Sequence, residues 1–168
     1  MISRPRYRIL QVGALSLWAD RGDAIHAREL AHALLDSRVE PILLNLPGPP
    51  TPVSSKLIEV RPPVIPLRFL RQISWNLIAS IMALVSIKRH GIGVVYSRME
   101  PGIIVGLLAA VFGNRPLVVE LNGLPSEDVR LYRPSNWLLL HITRAWERLM
   151  YDKAARVIGS PGYIRYVQ

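Results

Sequence analysis

Polar residues able to bind a substrate gather just after short apolar runs in this sequence. Asp20, Arg21, Gly22 and Asp23 follow the run Arg8 to Gly13. Arg98 and Glu100 follow Gly93 to Ser97; Asn122, Gly123, Ser126, Glu127 and Asp128 follow Leu117 to Leu121; Ser160 and Gly162 follow Val157 to Gly159. Each type suits a contact. Arg98 could hold a phosphate or a ligand hydroxyl, or close a rim ion pair with Glu100. Glu120 reads either as a buried hydrogen-bonding residue or as a ligand for a substrate hydroxyl, and strand alternation turns it to the same face as Asn122, which favours the second. His26 is open between packing and ligand contact. Glu127 and Asp128 read as helix-start acids. Gly22 beside a helix start offers free N–H groups and a positive dipole end to a diphosphate, although a turn glycine followed by an Asp23 N-cap explains the same pair.

Several chemistries are excluded by composition and spacing. The 168 residues contain no cysteine, which removes disulfides, thiolate metal sites and cysteine nucleophiles. His26 and His32 are six positions apart, so they do not stack on one helical face, and His90 and His141 stand alone, so no metal site is expected. Gly13 is followed by Ala14-Leu15-Ser16-Leu17-Trp18, not by the glycines of a dinucleotide fingerprint. Neither a P-loop nor a G-x-S-x-G elbow occurs.

The elements that must position these residues alternate. Arg8 to Gly13 reads as a strand, then a helix runs from Asp23 to about Ser37 on the apolar face Ala27, Leu30, Ala31, Leu34 and Leu35. Pro41 to Leu46 is the next strand, the proline-rich 47–55 a loop, and Leu57 to Val60 a short strand. A long helix spans Leu67 to about His90. A strand at Gly93 to Ser97 leads into a helix with Pro101 just inside its start and Gly113 just past its end. Leu117 to Leu121 is the fifth strand, Ser135 caps a helix to about Ala155, and Val157 to Gly159 is the sixth. This pattern predicts one α/β domain over 1–168, Rossmann-like, with a mostly parallel sheet covered by helices on both faces. Its ligands are expected beyond the carboxyl ends of the strands.

Three segments carry a resemblance. Gly22-Asp23-Ala24-Ile25-His26-Ala27-Arg28-Glu29-Leu30-Ala31 resembles the first-helix signature of glycosyltransferase family four. Val95-Tyr96-Ser97-Arg98 resembles that family's Y-x-R, and Val119-Glu120-Leu121-Asn122-Gly123 with Ser126-Glu127 its E-x-N strand end. Trp146-Glu147-Arg148 and Ala154 to Ile158 resemble the helix and strand leading towards a second domain. Arg21 stands where the first glycine of a pair is usual, and Asn122 where many members carry a histidine. The resemblance implies the acceptor-binding half of a retaining, GT-B hexosyltransferase. Acceptor contacts would come from His26, Arg98, Glu100, Glu120, Asn122 and Glu127, with Gly22 and Asp23 near the donor diphosphate; no catalytic residue is assigned. The donor is a nucleotide-diphosphate sugar, no metal is expected, and the acceptor is a glycan or lipid-linked glycan of the cell envelope. The donor-binding domain is expected in cis, this chain being a fragment, or in trans, this chain being a non-catalytic subunit.

The formal charge of +9 and pI near 10.6 attract anions. No recognition motif accompanies the scattered basic residues, so nucleic acid is not expected. Ile73 to Ile87 would span only about 22 Å as a helix and carries Ser74, Asn76, Ser80 and Ser86. Apolar residues lie nearly all round the Leu67 to His90 helix, as in a buried core helix. Its basic ends, with Arg68, Arg71, Lys88 and Arg89, predict cytoplasmic, salt-sensitive peripheral binding to the inner face of the plasma membrane without insertion.

Overall fold

The computed structural model describes residues 7–13, 22–46, 57–67, 70–100 and 102–159. Arg21, Pro47 to Ser55, Arg68, Pro101, Ser160 and Gly162 lie outside them. Among the described residues six strands and five helices alternate: β1 (Tyr7–Val12), α1 (Gly22–Asp36), β2 (Val39–Leu44), β3 (Ile58–Val60), α2 (Leu70–His90), β4 (Val94–Arg98), α3 (Val105–Gly113), β5 (Leu117–Leu121), α4 (Pro125–Tyr132), α5 (Trp137–Lys153) and β6 (Ala154–Gly159). The strands form one sheet in the order β3-β2-β1-β4-β5-β6, and every neighbouring pair is parallel. The α/β, Rossmann-like expectation holds.

Right-handed crossovers explain the layers. The chain steps one way from β1 to β2 and the other way from β4 to β6, so α1 covers one face while α2, α3 and α5 cover the other. Side chains follow the pleat. Ile42 and Leu44 enter the main core with Trp75, Ala79 and Ala83 of α2, whereas Leu43 packs on the opposite side against Ala31 of α1. The order reverses between β1 and β4, which opens a crevice beyond their carboxyl ends.

Several boundaries differ from the sequence reading, each for a local reason. Asp23 does not cap α1 from outside: it lies in the first turn, its carboxylate accepting the Ala24 N–H at 2.9 Å. Asn136, not Ser135, caps α5, its Oδ1 accepting the Leu139 N–H at 3.0 Å. Lys153 ends that helix, and Ala154 already pairs with Leu117 in β6; Ala155 is passed over at an irregularity before Arg156 pairs with Val118. Helix α3 begins at Val105, so Pro101 precedes it, and Gly113 is its last residue. The left-handed cap is Asn114 at φ 50°, whose N–H reaches the Ala110 and Val111 carbonyls. The short α4 separates from α5 after Tyr132.

The largest difference concerns α2. Its buried face is made of Ser74, Trp75, Ala79, Ser80, Ala83, Ser86 and Ile87. Ile73, Leu77, Ile81 and Val85 recur every fourth residue on the outer face, 57–65% exposed. The helix is therefore buried on one side only. Among the described residues it is the one helix long and apolar enough to cross a membrane by length and composition, yet its inner face packs on the sheet. Two of the serines that interrupt it are satisfied locally: Ser80 Oγ donates to the Asn76 carbonyl, and Ser74 Oγ donates to the Arg71 carbonyl and accepts the Ile65 N–H.

Small residues let α3 settle on the sheet. A Cβ on Gly106 would overlap Ser97 Oγ and Cβ on β4, and Ser97 is fully buried. Gly106→Ala is expected to destabilise the domain by about 1–3 kcal/mol, as overpacking does. Denaturant unfolding would show it as a lower midpoint; an unchanged midpoint would mean that α3 stands off the strand.

Candidate functional site

The site is built around one carboxylate. Val119 and Leu121 turn into the core, so alternation sends Glu120 to the α1 side of the sheet, where it is only 6% exposed. A charge removed from water to that degree needs partners, and three reach it. Tyr96 of β4 donates its hydroxyl to Oε2 at 2.8 Å, Asn122 donates Nδ2 to Oε1 at 2.6 Å, and His26 Nε2 of α1 sits 2.8 Å from Oε1. Arg98 pairs with Glu120 in the β4–β5 register, and its guanidinium points to the Asp23 carbonyl at 3.5 Å. Gln11 of β1 donates to the Ala27 carbonyl at 3.2 Å, holding α1 above the same strands.

This network backs onto a cleft of about 620 Å³ at the switch point. Asp23, Arg71, Gln72, Arg98, Glu100, Asn122, Gly123 and Asp128 form its polar wall, and Leu46, Trp75, Met99, Ile103 and Pro125 its apolar wall. A Cβ added at Gly22 or Gly123 would meet nothing within 4 Å, and neither glycine has a left-handed φ, so the described fold itself demands a glycine at neither place. Among the described residues no group of three or more His, Asp or Glu is arranged to hold a metal.

The structure thus brings Asp23, Arg98, Glu100 and Asn122 to one cleft, with Glu120 and His26 directly behind Asn122 and Gly22 at the head of α1. Glu127 is not in its lining. It forms an i, i+3 ion pair with Arg130 at 2.6 Å, and the 100° step of the helix gives the cleft position to Asp128 instead.

Other residues were missed because they lie on helices remote from the strand ends. Arg71, Gln72 and Trp75 line the cleft from the first turns of α2; their i, i+1, i+4 spacing, which groups them on one side of a helix, was the available signal. Asn76 clamps the loop before α3, with Oδ1 accepting the Ile104 N–H at 3.0 Å and Nδ2 donating to the Gly102 carbonyl at 2.9 Å. Glu147 of α5 accepts the Ser126 N–H at 2.7 Å and so fixes the start of α4, from which Pro125 and Asp128 reach the cleft.

The α/β fold of this chain is found in solved glycosyltransferases. Acinetobacter baumannii MurG superposes with a TM-score of 0.53 at 13% identity, covering 92% of this chain and 41% of that one. A glycosyltransferase from Rickettsia africae gives 0.57 at 15% identity, covering 97% and 39%. The chain therefore spans about 40% of the length of these two structures. No curated protein sequence matches it. The family model of Glycosyltransferase Family 4 matches residues 21–161, and the chain belongs to that family.

The tyrosines give the site a pH signature. Burial first, then the charge and hydrogen bond of Glu120, push the Tyr96 phenol far above its ordinary 10, with Arg98 acting weakly the other way. Burial and the Glu147 charge raise Tyr151 to about 12. Below pH 10 the phenols are neutral in both folded and unfolded chains. Above it the unfolded chain ionises first, so stability is lost as pH rises from 10 through the folded values. Melting temperature is expected to be flat from pH 8 to about 9.5 and to fall beyond. Tyr96→Phe should lower stability at pH 8 by about 1.5–3 kcal/mol, through the lost bond to a charged acceptor, and flatten the alkaline decline. An unaltered decline in that variant would detach Tyr96 from it.

Proposed function

We propose that this chain is the acceptor-binding half of a retaining glycosyltransferase of the GT-B, hexosyltransferase type, working with a donor-binding domain supplied in cis or in trans. The Glu120 network opening onto the switch-point cleft carries this reading, in a chain of Glycosyltransferase Family 4. An acceptor hydroxyl approaching Asn122 would find Glu120 behind it as a hydrogen-bond acceptor, with Asp23, Glu100 and Asp128 around it for further hydroxyls and Arg98 for a phosphate or hydroxyl. In the transfer the acceptor oxygen bonds to the anomeric carbon of the donor as that carbon's bond to the diphosphate oxygen breaks, and the hydroxyl proton passes to the departing diphosphate. The open space at Gly22 lets a diphosphate approach the head of α1, where the helix dipole favours negative charge without a metal. The Asp23 carboxylate already takes the Ala24 N–H, so Gly22 is the nearer of the two to that task.

The acceptor is a glycan or lipid-linked glycan of the cell envelope, met at the cytoplasmic face of the membrane. Arg71, Lys88 and Arg89 at the ends of α2 supply a salt-sensitive attraction to anionic lipid, and the exposed Ile73–Leu77–Ile81–Val85 stripe adds an apolar component that salt leaves in place. Co-sedimentation with anionic vesicles should fall but not vanish in high salt, and Leu77→Glu should remove the residue that remains. No binding at low salt would take the membrane out of the reading.

The 168-residue chain alone is expected to show no turnover, since one wall of an interdomain cleft cannot enclose a diphosphate. Joined to its donor half, Glu120→Gln or Asn122→Ala should lower kcat/KM by roughly tenfold or more. Asn122 is exposed and supplies one of three partners of Glu120, so Asn122→Ala should lower the melting temperature only modestly beside the loss of activity. Losses of activity that merely track losses of stability would reduce the network to a structural one.

A further inference from the structure

A second concavity, of about 670 Å³, adjoins the cleft. Most of its wall is apolar, formed by Ile104 ahead of α3, Val129 of α4, and Leu139, Ile142 and Trp146 of α5. Three residues, Gln72, Pro125 and Asp128, line both spaces, so the polar cleft continues into the groove across a shared rim. Cations stand along this path, with Arg71 and Arg98 in the cleft and Arg133 in the groove. Ile142 is 57% exposed, so its aliphatic surface is available to an occupant.

We infer that the groove takes the hydrocarbon tail of the acceptor, which is thereby an amphiphile: a lipid carrying a phosphate and, beyond it, the hydroxyl-bearing sugar. This rests on the reading of the adjoining cleft as the acceptor site. A purely polar glycan would leave the groove's apolar wall in water, whereas an alkyl or prenyl chain gains affinity with each methylene it buries there. The shared rim puts the junction of tail and head between the two spaces. The anionic group meets the arginines and the hydroxyls meet the cleft acids and Asn122.

Alkyl phosphates test this without a donor or a bilayer. Binding of hexyl, octyl and decyl phosphate, each below its micellar concentration, is measured on the chain by calorimetry. The affinity should rise at least about tenfold from hexyl to decyl. Ile142→Glu, at an exposed position, should abolish that dependence, while Leu77→Glu on the outer face of α2 should leave it intact. Affinity independent of tail length would overturn the groove. So would a dependence that survives Ile142→Glu, and loss of it in Leu77→Glu would move the apolar site to the outer face of α2. The reading of the cleft is judged separately: if tail length has no effect but Glu120→Gln still impairs transfer in the joined enzyme, the groove fails and the acceptor site stands. Tail-dependent binding with an indifferent Glu120→Gln would mean the reverse.

Discussion

Burying the carboxylate of Glu120 is the constraint on which the rest of the site depends. In water it would be solvated at little cost; inside the sheet it must be surrounded by donors. Tyr96, Asn122 and His26 come from β4, from the turn after β5 and from α1. One ion thus ties the start of the first helix to β4 and β5. Such a network fixes relative positions more than it adds stability, because the hydrogen bonds it makes replace ones that water would have made. The consequence for function is a pre-positioned polar floor: Asn122 is held by Glu120 before any ligand arrives.

Around that floor, the reversal of strand order and the helix caps decide which side chains can meet. Sequence neighbours part company where β1 leads one way and β4 the other, and the crevice between them collects residues from loops far apart in the chain. Two capping contacts between helices set its edges. Asn76 of α2 holds the loop entering α3, and Glu147 of α5 holds the start of α4. Both are side chains serving another element's backbone, so the walls of the cleft are braced from behind by the helical layer.

That layer has an unusual division of residues. Alanine and serine line most of the inner face of α2, between Trp75 at one end and Ile87 at the other, while Ile73, Leu77, Ile81 and Val85 face outward. Close packing of small residues gains dispersion contacts for the core, and leaves the larger aliphatic surface for whatever lies outside. Similar exposure recurs at Trp137, Leu138 and Ile142 on α5. The helical side of the sheet is therefore far more apolar than a solvated face requires.

The sequence by itself determined the alternation of strands and helices, the parallel sheet, and the strand-end location of most polar candidates. These follow from local periods: β5 was legible as Leu117 to Leu121 because a two-residue repeat is complete within five positions, and the same repeat put Glu120 and Asn122 on one face. Family resemblance in the segments around Gly22, Tyr96 and Glu120 was legible for the same reason, each being short and contiguous. Tertiary structure decided what depends on phase or on distance. An apolar helix such as α2 has no phase of its own, so only packing could choose which side to bury, and it chose the side with Trp75, Ile87 and the alanines and serines between them. The partners of Glu120 lie 94 and 24 positions away in the chain at His26 and Tyr96, and no local pattern encodes such a meeting. Glu127 and Asp128 are adjacent acids with equal claims in sequence; one helical step, fixed by the docking of α4 onto α5, gave the cleft to Asp128.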